Sequence, residues 1–511
     1  MSANGRDTLN VLGEHAKDTV SAANNPIFSV HAEQVDYLDL MTAEAERLAT
    51  APAVPHDEIL TSLLDQVQPV YFRTLAQLSS PTDKLRTQHY VVLVIQELLS
   101  LAITNDWNLS RRQGSLFSYN AAFWCKVDEA TLRSFLKRVA IKQGVPELTG
   151  KYHLFVDQLY KQFLETATLG TPPSKKREEV LINLQNGTFE ISLRQQILRP
   201  FHAEDFLAYQ LSFAHSPEAT APLWQTFLDE VVPDLPSQMV LAEYIGYVFV
   251  APSLLKLEKV LLIFGTGANG KSVFFEVVTA LLGQENVSNY SLASLTGTPA
   301  YCRAHLATKL VNYASELNRG LEADTFKLLA SGEPIEARLP YGQPFVLTDY
   351  AKLIFNCNEL PIAVENTHAF FRRFLIIPFN VTIPEDKQDK MLPSKIINTE
   401  LAGVFNWMLT GLRRLLAQRK FSSCEAAQKE LEIYKIQSDT VRLFLDELQL
   451  KPSSDKKRAT QEVYNDYRNF CSEFGNRLPV ARLKFVTRLA AAGIHEERRN
   501  TGRVLFIEAS A

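Results

Sequence analysis

One junction constrains this chain more than any other. The apolar run Val260-Leu-Leu-Ile-Phe264 leads straight into Gly265-Thr-Gly-Ala-Asn-Gly-Lys-Ser272, and a helical pattern continues to Leu282. G-x-x-x-x-G-K-[ST] between a strand and a helix is a phosphate-binding loop. Gly265, Gly267 and Gly270 let backbone amides wrap a phosphate where a Cβ would block them. The next helix points its positive end at that charge. The expected nucleotide-binding residues are therefore Gly265, Thr266, Gly267, Ala268, Asn269, Gly270, Lys271 and Ser272. Lys271 would bind the β- and γ-phosphates and Ser272 a Mg²⁺ ion, which makes ATP and Mg²⁺ the expected cofactors.

Between about 225 and 425, short apolar runs alternate with helical patterns. Val260–Phe264, Leu310–Ala314, Ala351–Asn356 and Phe374–Pro378 read as strands. Such alternation predicts an α/β core, a mostly parallel sheet flanked by helices. Lys309-Leu-Val-Asn-Tyr-Ala-Ser-Glu316 ends in one carboxylate, and Ala351-Lys-Leu-Ile-Phe-Asn-Cys-Asn358 in an amide. At strand tips beside a phosphate loop, Glu316 would orient metal-bound water and the attacking water, and Asn358 would hold the lytic water or sense the γ-phosphate. The plainer alternatives are a solvated loop acid and a strand-end turn residue. Arg372-Arg373 suits a finger supplied to a neighbour's site, or an inter-strand salt bridge.

The chain has 511 residues, 46% of them hydrophobic and 22% charged, with net charge −4. That length predicts several domains, and that composition excludes a disordered chain or a coiled-coil rod. A weakly acidic whole excludes a nucleic-acid coat, so any nucleic-acid site must be a local patch. Five scattered cysteines, Cys125, Cys302, Cys357, Cys424 and Cys471, show no CxxC pair. Their pattern argues against a disulfide framework or a zinc site and fits a reducing cytoplasm. The polar N-terminus does not read as a signal peptide. Met239–Leu255 is apolar but broken by Glu243 and Pro252, so a buried segment is expected there and no membrane span.

Residues 1–105 read as a helical module, with Tyr90–Leu99 buried, and lack the clustered carboxylates of a polymerising site. In residues 106–225 a strand–turn–strand unit is expected at Leu116–Val127, then a helix burying Leu132, Phe135, Leu136 and Val139. Thr171-Pro-Pro-Ser-Lys-Lys-Arg reads as a linker, and Leu181–Ile191 as a hairpin around Asn186-Gly187. The ATPase core would occupy 226–425, a helical lid and linker 426–455, with the linker at Lys451-Pro-Ser-Ser-Asp-Lys-Lys-Arg458.

Residues 456–511 read as a small separate unit. Val463, Tyr464, Tyr467, Phe470 and Phe474 share one face of a helix. A second helix, Val480–Ala492, would bury Leu483, Phe485, Val486 and Leu489 and expose Arg482, Lys484 and Arg488. A strand pair around Asn500-Thr-Gly502 carries Arg498, Arg499 and Arg503. Helix, helix and basic hairpin predict a C-terminal winged helix whose cations contact DNA. Glu496 and Glu497 leave open a plain protein-binding cap.

Taken together, GTGANGKS, YASELN, LASGEPIEARLPYGQPF, KLIFNCNELP and FFRRFLIIPF resemble the superfamily 3 helicases of the phage/plasmid and poxvirus primase-helicase type. INLQNGTFEI and AEYIGYVFVAP upstream, and GVFNWMLTGLRRLL downstream, resemble the flanking module and lid of that family. The resemblance covers about 115–511. It implies a ring-forming AAA+ ATPase, usually a hexamer, that moves on single-stranded DNA and unwinds forked DNA with 3′→5′ polarity. On that basis Lys271 and Ser272 are the Walker A pair, Glu316 the Walker B carboxylate and Asn358 sensor 1. Arg373 is the arginine finger, with Arg372 its rival. Three departures stand out. Ser315 replaces the first of the two acids often found in Walker B. Gly342 and Gln343 stand where relatives carry a lysine at the tip of the channel hairpin, leaving Arg338 and Tyr341 to contact phosphate and stack on bases. Residues 1–114 show no primase motif, so a separate primase or polymerase is an expected partner. Two other readings keep the nucleotide site: a ring ATPase that remodels proteins at an origin, and an origin-binding scaffold stabilised by nucleotide.

Overall fold

The computed structural model describes residues 54–509 except 81, 113–114, 168–177, 316–320, 341, 362–364, 366, 474–478 and 501. The expectations placed on residues 1–53, Thr171–Arg177, Glu316, Tyr341 and Phe474 lie outside the described residues.

The first core is built by α1 (His56–Gln66), α2 (Thr87–Thr104), the antiparallel strands β1 (Trp107–Arg112), β2 (Ser115–Asn120) and β3 (Trp124–Val127), α3 (Glu129–Lys142) and α4 (His153–Thr166). Helix α2 turns Val91, Val94, Ile95, Leu98 and Ala102 inward at helical spacing. Asp128 caps α3 by accepting the Thr131 amide at 2.9 Å, and Leu132, Phe135, Leu136 and Val139 are buried as expected. One core joins Ile59 to Ala167, so it crosses the boundary expected at 105.

Next come β4 (Val180–Leu184), β5 (Gly187–Ile191) and β6 (Gln196–Arg199), an antiparallel meander. Its first turn is Gln185-Asn186, and Gly187 already pairs with Leu184. A Cβ on Gly187 would stand 2.6 Å from the Arg199 carbonyl, so the glycine serves the strand contact. Helices α5 (Pro222–Val231) and α6 (Leu235–Tyr247) follow. Helix α6 is buried from Gln238 onward except at Met239, and no described helix is long and apolar enough to cross a membrane. Its Glu243 is fully buried, satisfied by the Arg414 Nε at 2.6 Å and the Ser422 amide at 2.8 Å.

The centre is a five-stranded parallel sheet, within a mixed α/β architecture. Strands β7 (Val260–Phe264), β8 (Val287–Ser288), β9 (Val311–Ala314), β12 (Lys352–Cys357) and β13 (Phe374–Pro378) lie in the order β13-β7-β12-β9-β8. The four expected strands are all present; the two-residue edge strand β8 was not expected. Connections include α7 (Lys271–Leu282), α8 (Ala323–Ser331) and a hairpin of β10 (Ile335–Ala337) with β11 (Phe345–Leu347). Both sheet faces are covered, which is why β7 is apolar throughout. The 27-residue α9 (Leu392–Gln418) lies against α6. Their backbones approach so closely that a Cβ on Gly411 would stand 2.4 Å from the Ala242 carbonyl carbon, and one on Gly246 2.7 Å from the Leu412 Cβ. Helix α10 (Glu425–Ser438) packs on β13 through Tyr434, whose ring meets Phe374 edge-on at 5.5 Å.

The C-terminal unit runs α11 (Thr440–Glu447), β14 (Leu450–Ala459), α12 (Thr460–Glu473), α13 (Arg482–Ala491), β15 (Glu496–Arg499) and β16 (Gly502–Ala509). Its core starts at Val441 and includes Phe444, Val463, Tyr467, Phe485, Leu505 and Ile507. The supposed linker Lys451–Arg458 is therefore strand: β14 pairs with β16, with a bulge between Pro452 and Lys457. Leu483 also departs from expectation. It is 80% exposed, because Phe485 and Leu489 take the inner face of α13 and Val486 only its margin.

Candidate nucleotide site

Parallel strands end together, and the loops after their C-terminal ends form a common crevice. The phosphate loop follows β7, an interior strand, and lies beside the end of β12: the Gly265 amide donates to the Cys357 carbonyl at 3.1 Å. Gly267, Ala268 and Gly270 all have positive φ, at 118°, 51° and 82°. Gly270 is fixed twice over, since a Cβ there would also stand 2.8 Å from Phe227 and Val231 of α5. The amides that open α7 face the loop, and Thr266, Ala268 and Ser272 are exposed. This backbone, a lysine and a free hydroxyl fit a triphosphate with its magnesium.

Lys271 is folded onto its own loop. Its Nζ donates to the Gly265 carbonyl at 2.6 Å and to the Asn269 Oδ1 at 2.9 Å. Burial lowers its pKa, with Cys357 acting weakly in the other direction. Asn269 is itself buried, and its Nδ2 donates to the Phe379 carbonyl at 2.7 Å. The Phe379 amide returns to the Phe264 carbonyl at 2.7 Å, and the Ile383 amide bonds the Ala268 carbonyl at 2.8 Å. The loop is thus stitched to the chain leaving β13.

Asn358 lies exposed just past β12. The amide that reaches the phosphate loop is instead Asn356. Its Nδ2 donates to the Lys271 carbonyl at 3.3 Å, while its Oδ1 accepts the buried Tyr313 hydroxyl at 2.9 Å. Sequence reading passed over Asn356, Phe227 and the 379–383 segment. The available signal was a lone polar residue inside the otherwise apolar run Leu-Ile-Phe-Asn-Cys.

Arg372 and Arg373 sit at the other end of the sheet. The Val260 amide donates to the Arg373 carbonyl at 2.8 Å, so the pair lies beside the start of β7. At about 3.3 Å per residue, the strand separates them from their own loop by roughly 15 Å. Arg373 is 8% exposed and donates to the Ala369 carbonyl, to the Lys327 carbonyl at 3.3 Å and to Ser331 at 3.0 Å. Burial lowers its pKa, and Glu258 opposes that. The Arg372 side chain is 46% exposed and ion-paired with Glu258.

The remaining expected contacts fall into two places. Arg338 is exposed at the β10–β11 hairpin, and its Nε donates to the Gly342 carbonyl at 2.9 Å. Leu339, Phe345 and Val346 are exposed beside it. On the C-terminal unit, Arg488 pairs with Asp439 at 3.2 Å, Arg499 with Glu497 at 2.7 Å and Arg503 with Glu496 at 2.7 Å. Arg482 donates to Gln461 at 3.1 Å. Lys484 and Arg498 are exposed and have no ion pair among the described residues.

Residues 154–233, which end just past α5, match a family described as D5 N terminal like. Residues 263–373 match a family of unknown function, DUF5906. No curated protein matches the chain. Among solved structures, the apo C-terminal region (305–718) of NrS-1 is 14% identical, with a TM-score of 0.44 over 82% of this chain and 99% of that one. An A-form apo structure of the NrS-1 C-terminal region is 12% identical, with a TM-score of 0.43 over 81% of this chain and 99% of that one.

Proposed function

We propose that this chain is an ATP-driven DNA helicase of a phage or other mobile element, with an AAA+ core, working as a ring, most simply a hexamer. The observation that carries this reading is the separation of the phosphate loop from the arginine pair, at opposite ends of one parallel sheet. Neither arginine reaches its own loop, so a neighbour must supply the positive charge that the splitting of a triphosphate calls for. Such a charge is worth roughly 10³–10⁵ in rate. Arg372, exposed and held by one carboxylate, is the readier finger; Arg373 is held by backbone and Ser331. Lys271 and Ser272 would hold the nucleotide and its magnesium, with Glu316 as the candidate carboxylate. Magnesium, when bound, would neutralise charge on the phosphates. A D5 N terminal like segment upstream of the loop supports a replication role.

The C-terminal order helix–strand–helix–helix–strand–strand, with strand order β14-β16-β15, supports a winged helix that holds duplex DNA. Single-stranded DNA would pass the β10–β11 hairpin, and a separate primase or polymerase would complete the machinery. A second reading, a ring ATPase that remodels proteins at an origin, draws on that hairpin. Its cation is turned onto Gly342, and the exposed Leu339, Phe345 and Val346 beside it are apolar. Strand displacement on a fork separates the two readings: ATPase activity without displacement favours the remodeler.

The test of the main reading is turnover in mixtures. Lys271→Ala and Arg372→Ala are each expected to be inactive with folding intact. Mixed together they should regain activity, because some interfaces then combine one intact loop with one intact arginine. Unchanged turnover in Lys271→Ala, or no recovery on mixing, defeats it.

A further inference from the structure

Lys271 is satisfied by acceptors of its own chain, and a triphosphate bound there would have to replace them. One of those acceptors is more than a resting place. Asn269 uses its oxygen to hold the Lys271 ammonium at 2.9 Å and its nitrogen to hold the Phe379 carbonyl at 2.7 Å. A single planar amide therefore joins the phosphate-binding cation to the first residue beyond β13. From there the chain runs through Ile383, bonded to the Ala268 carbonyl, into α9. Helix α9 places Glu400 on the first amides of α5, at 3.0 Å from both Leu223 and Trp224. Helix α5 closes the circuit by packing Phe227 and Val231 against Gly270. This buried amide makes one hydrogen bond from each end to its described partners, so a change at one end bears on the group that also holds the other.

We propose that Asn269 is a positioning residue that holds Lys271 on its own loop and passes the arrival of a triphosphate to the β13–α9 connection. It does not touch the reacting atoms. When phosphate oxygens draw the ammonium away, the Asn269 oxygen loses its charged donor. The amide then re-orients, and its grip on Phe379 changes with it. This inference rests on the nucleotide-site reading above and adds a direction in which loading is felt.

Two variants and one readout test it in the full chain. Asn269→Asp puts a carboxylate beside Lys271, and affinity for ATPγS with Mg²⁺ should fall about tenfold or more. Asn269→Ala removes one acceptor without adding a charge, and affinity should fall several-fold less than in Asn269→Asp. A purely structural anchor predicts equal losses, because neither aspartate nor alanine can donate to Phe379. Amide hydrogen exchange with ATPγS supplies the second arm. In the parent, both the loop (265–272) and the connection (379–383) should change protection. In Asn269→Ala the loop should still respond and the connection should not. Equal responses at 379–383 in parent and Asn269→Ala, or equal loss of affinity in the two variants, overturn the relay. No protection of the loop in the parent overturns the nucleotide reading itself, so the two failures are distinguishable. If Asn269→Ala fails to fold, by its thermal transition, affinity in Asn269→Asp decides: parent-like binding there overturns the proposal.

Discussion

Two lysines near the central sheet, Lys271 buried and Lys352 half-buried, are held in different ways. Lys271 is held by the carbonyl oxygen of Gly265 and the amide oxygen of Asn269. Lys352 has its ammonium 4.5 Å above the Tyr247 ring, and burial lowers its pKa from 10.5 to about 8. Between those two values the unfolded chain keeps a proton that the folded chain sheds, so this group makes stability rise with pH across that window. Lys352→Met should therefore exceed the parent in stability most below about pH 8, and the gap should close towards pH 10.5. Paired urea titrations across that range read the gap; one that does not change with pH rejects the assignment. At this scale the sequence was legible where a motif dictates a residue, as at Lys271 and Gly270. It was opaque where three-dimensional contact decides. Asn356 looks like part of an apolar strand, and its role appears only once β9 brings the Tyr313 hydroxyl alongside.

Helices here are secured at their ends by distant chain. The first two amides of α5 with bonding partners are met by both oxygens of Glu400, a residue of α9 that is 6% exposed. A carboxylate at a helix N-terminus also complements the helix dipole. Glu400→Ala should cost roughly 2–4 kcal/mol, through one buried and one part-buried amide left without acceptors. Glu400→Gln, which keeps one good acceptor, should recover about half of that. Chemical denaturation measures both, and an unchanged midpoint in Glu400→Ala contradicts the capping role. Elements were readable in proportion to how far their own residues specify them. Strands β7 and β13 were found to the residue, because apolar runs bounded by turn residues survive any tertiary context. Strand β1, with Leu109 as its one fully buried apolar residue, carries no clean alternation. Strand β14 is mostly Lys, Ser, Asp and Arg, and is a strand because β16 pairs with it.

Across the whole molecule, the C-terminal unit is the part best able to stand apart, since Val441 to Ile507 share a core of their own. A fragment of residues 439–511 should unfold cooperatively by itself. It should bind duplex DNA with an affinity that falls steeply with salt. Lys484→Glu and Arg498→Glu should weaken that binding more than Arg503→Glu, whose arginine is already occupied by Glu496 at 2.7 Å. Equal effects of all three, read by fluorescence anisotropy, would assign the contact elsewhere. The largest hydrophobic cluster is braced by the pairing of α6 with α9. At 27 residues, α9 is a beam of roughly 40 Å. Bare backbone at Gly246 and Gly411 lets it mesh with its neighbour like toothed bars pressed tooth to gap. Bars so meshed cannot creep, so a tug at one tip arrives at the other with little slack. If the chain is rewritten over generations, those two gaps should be the last to be filled.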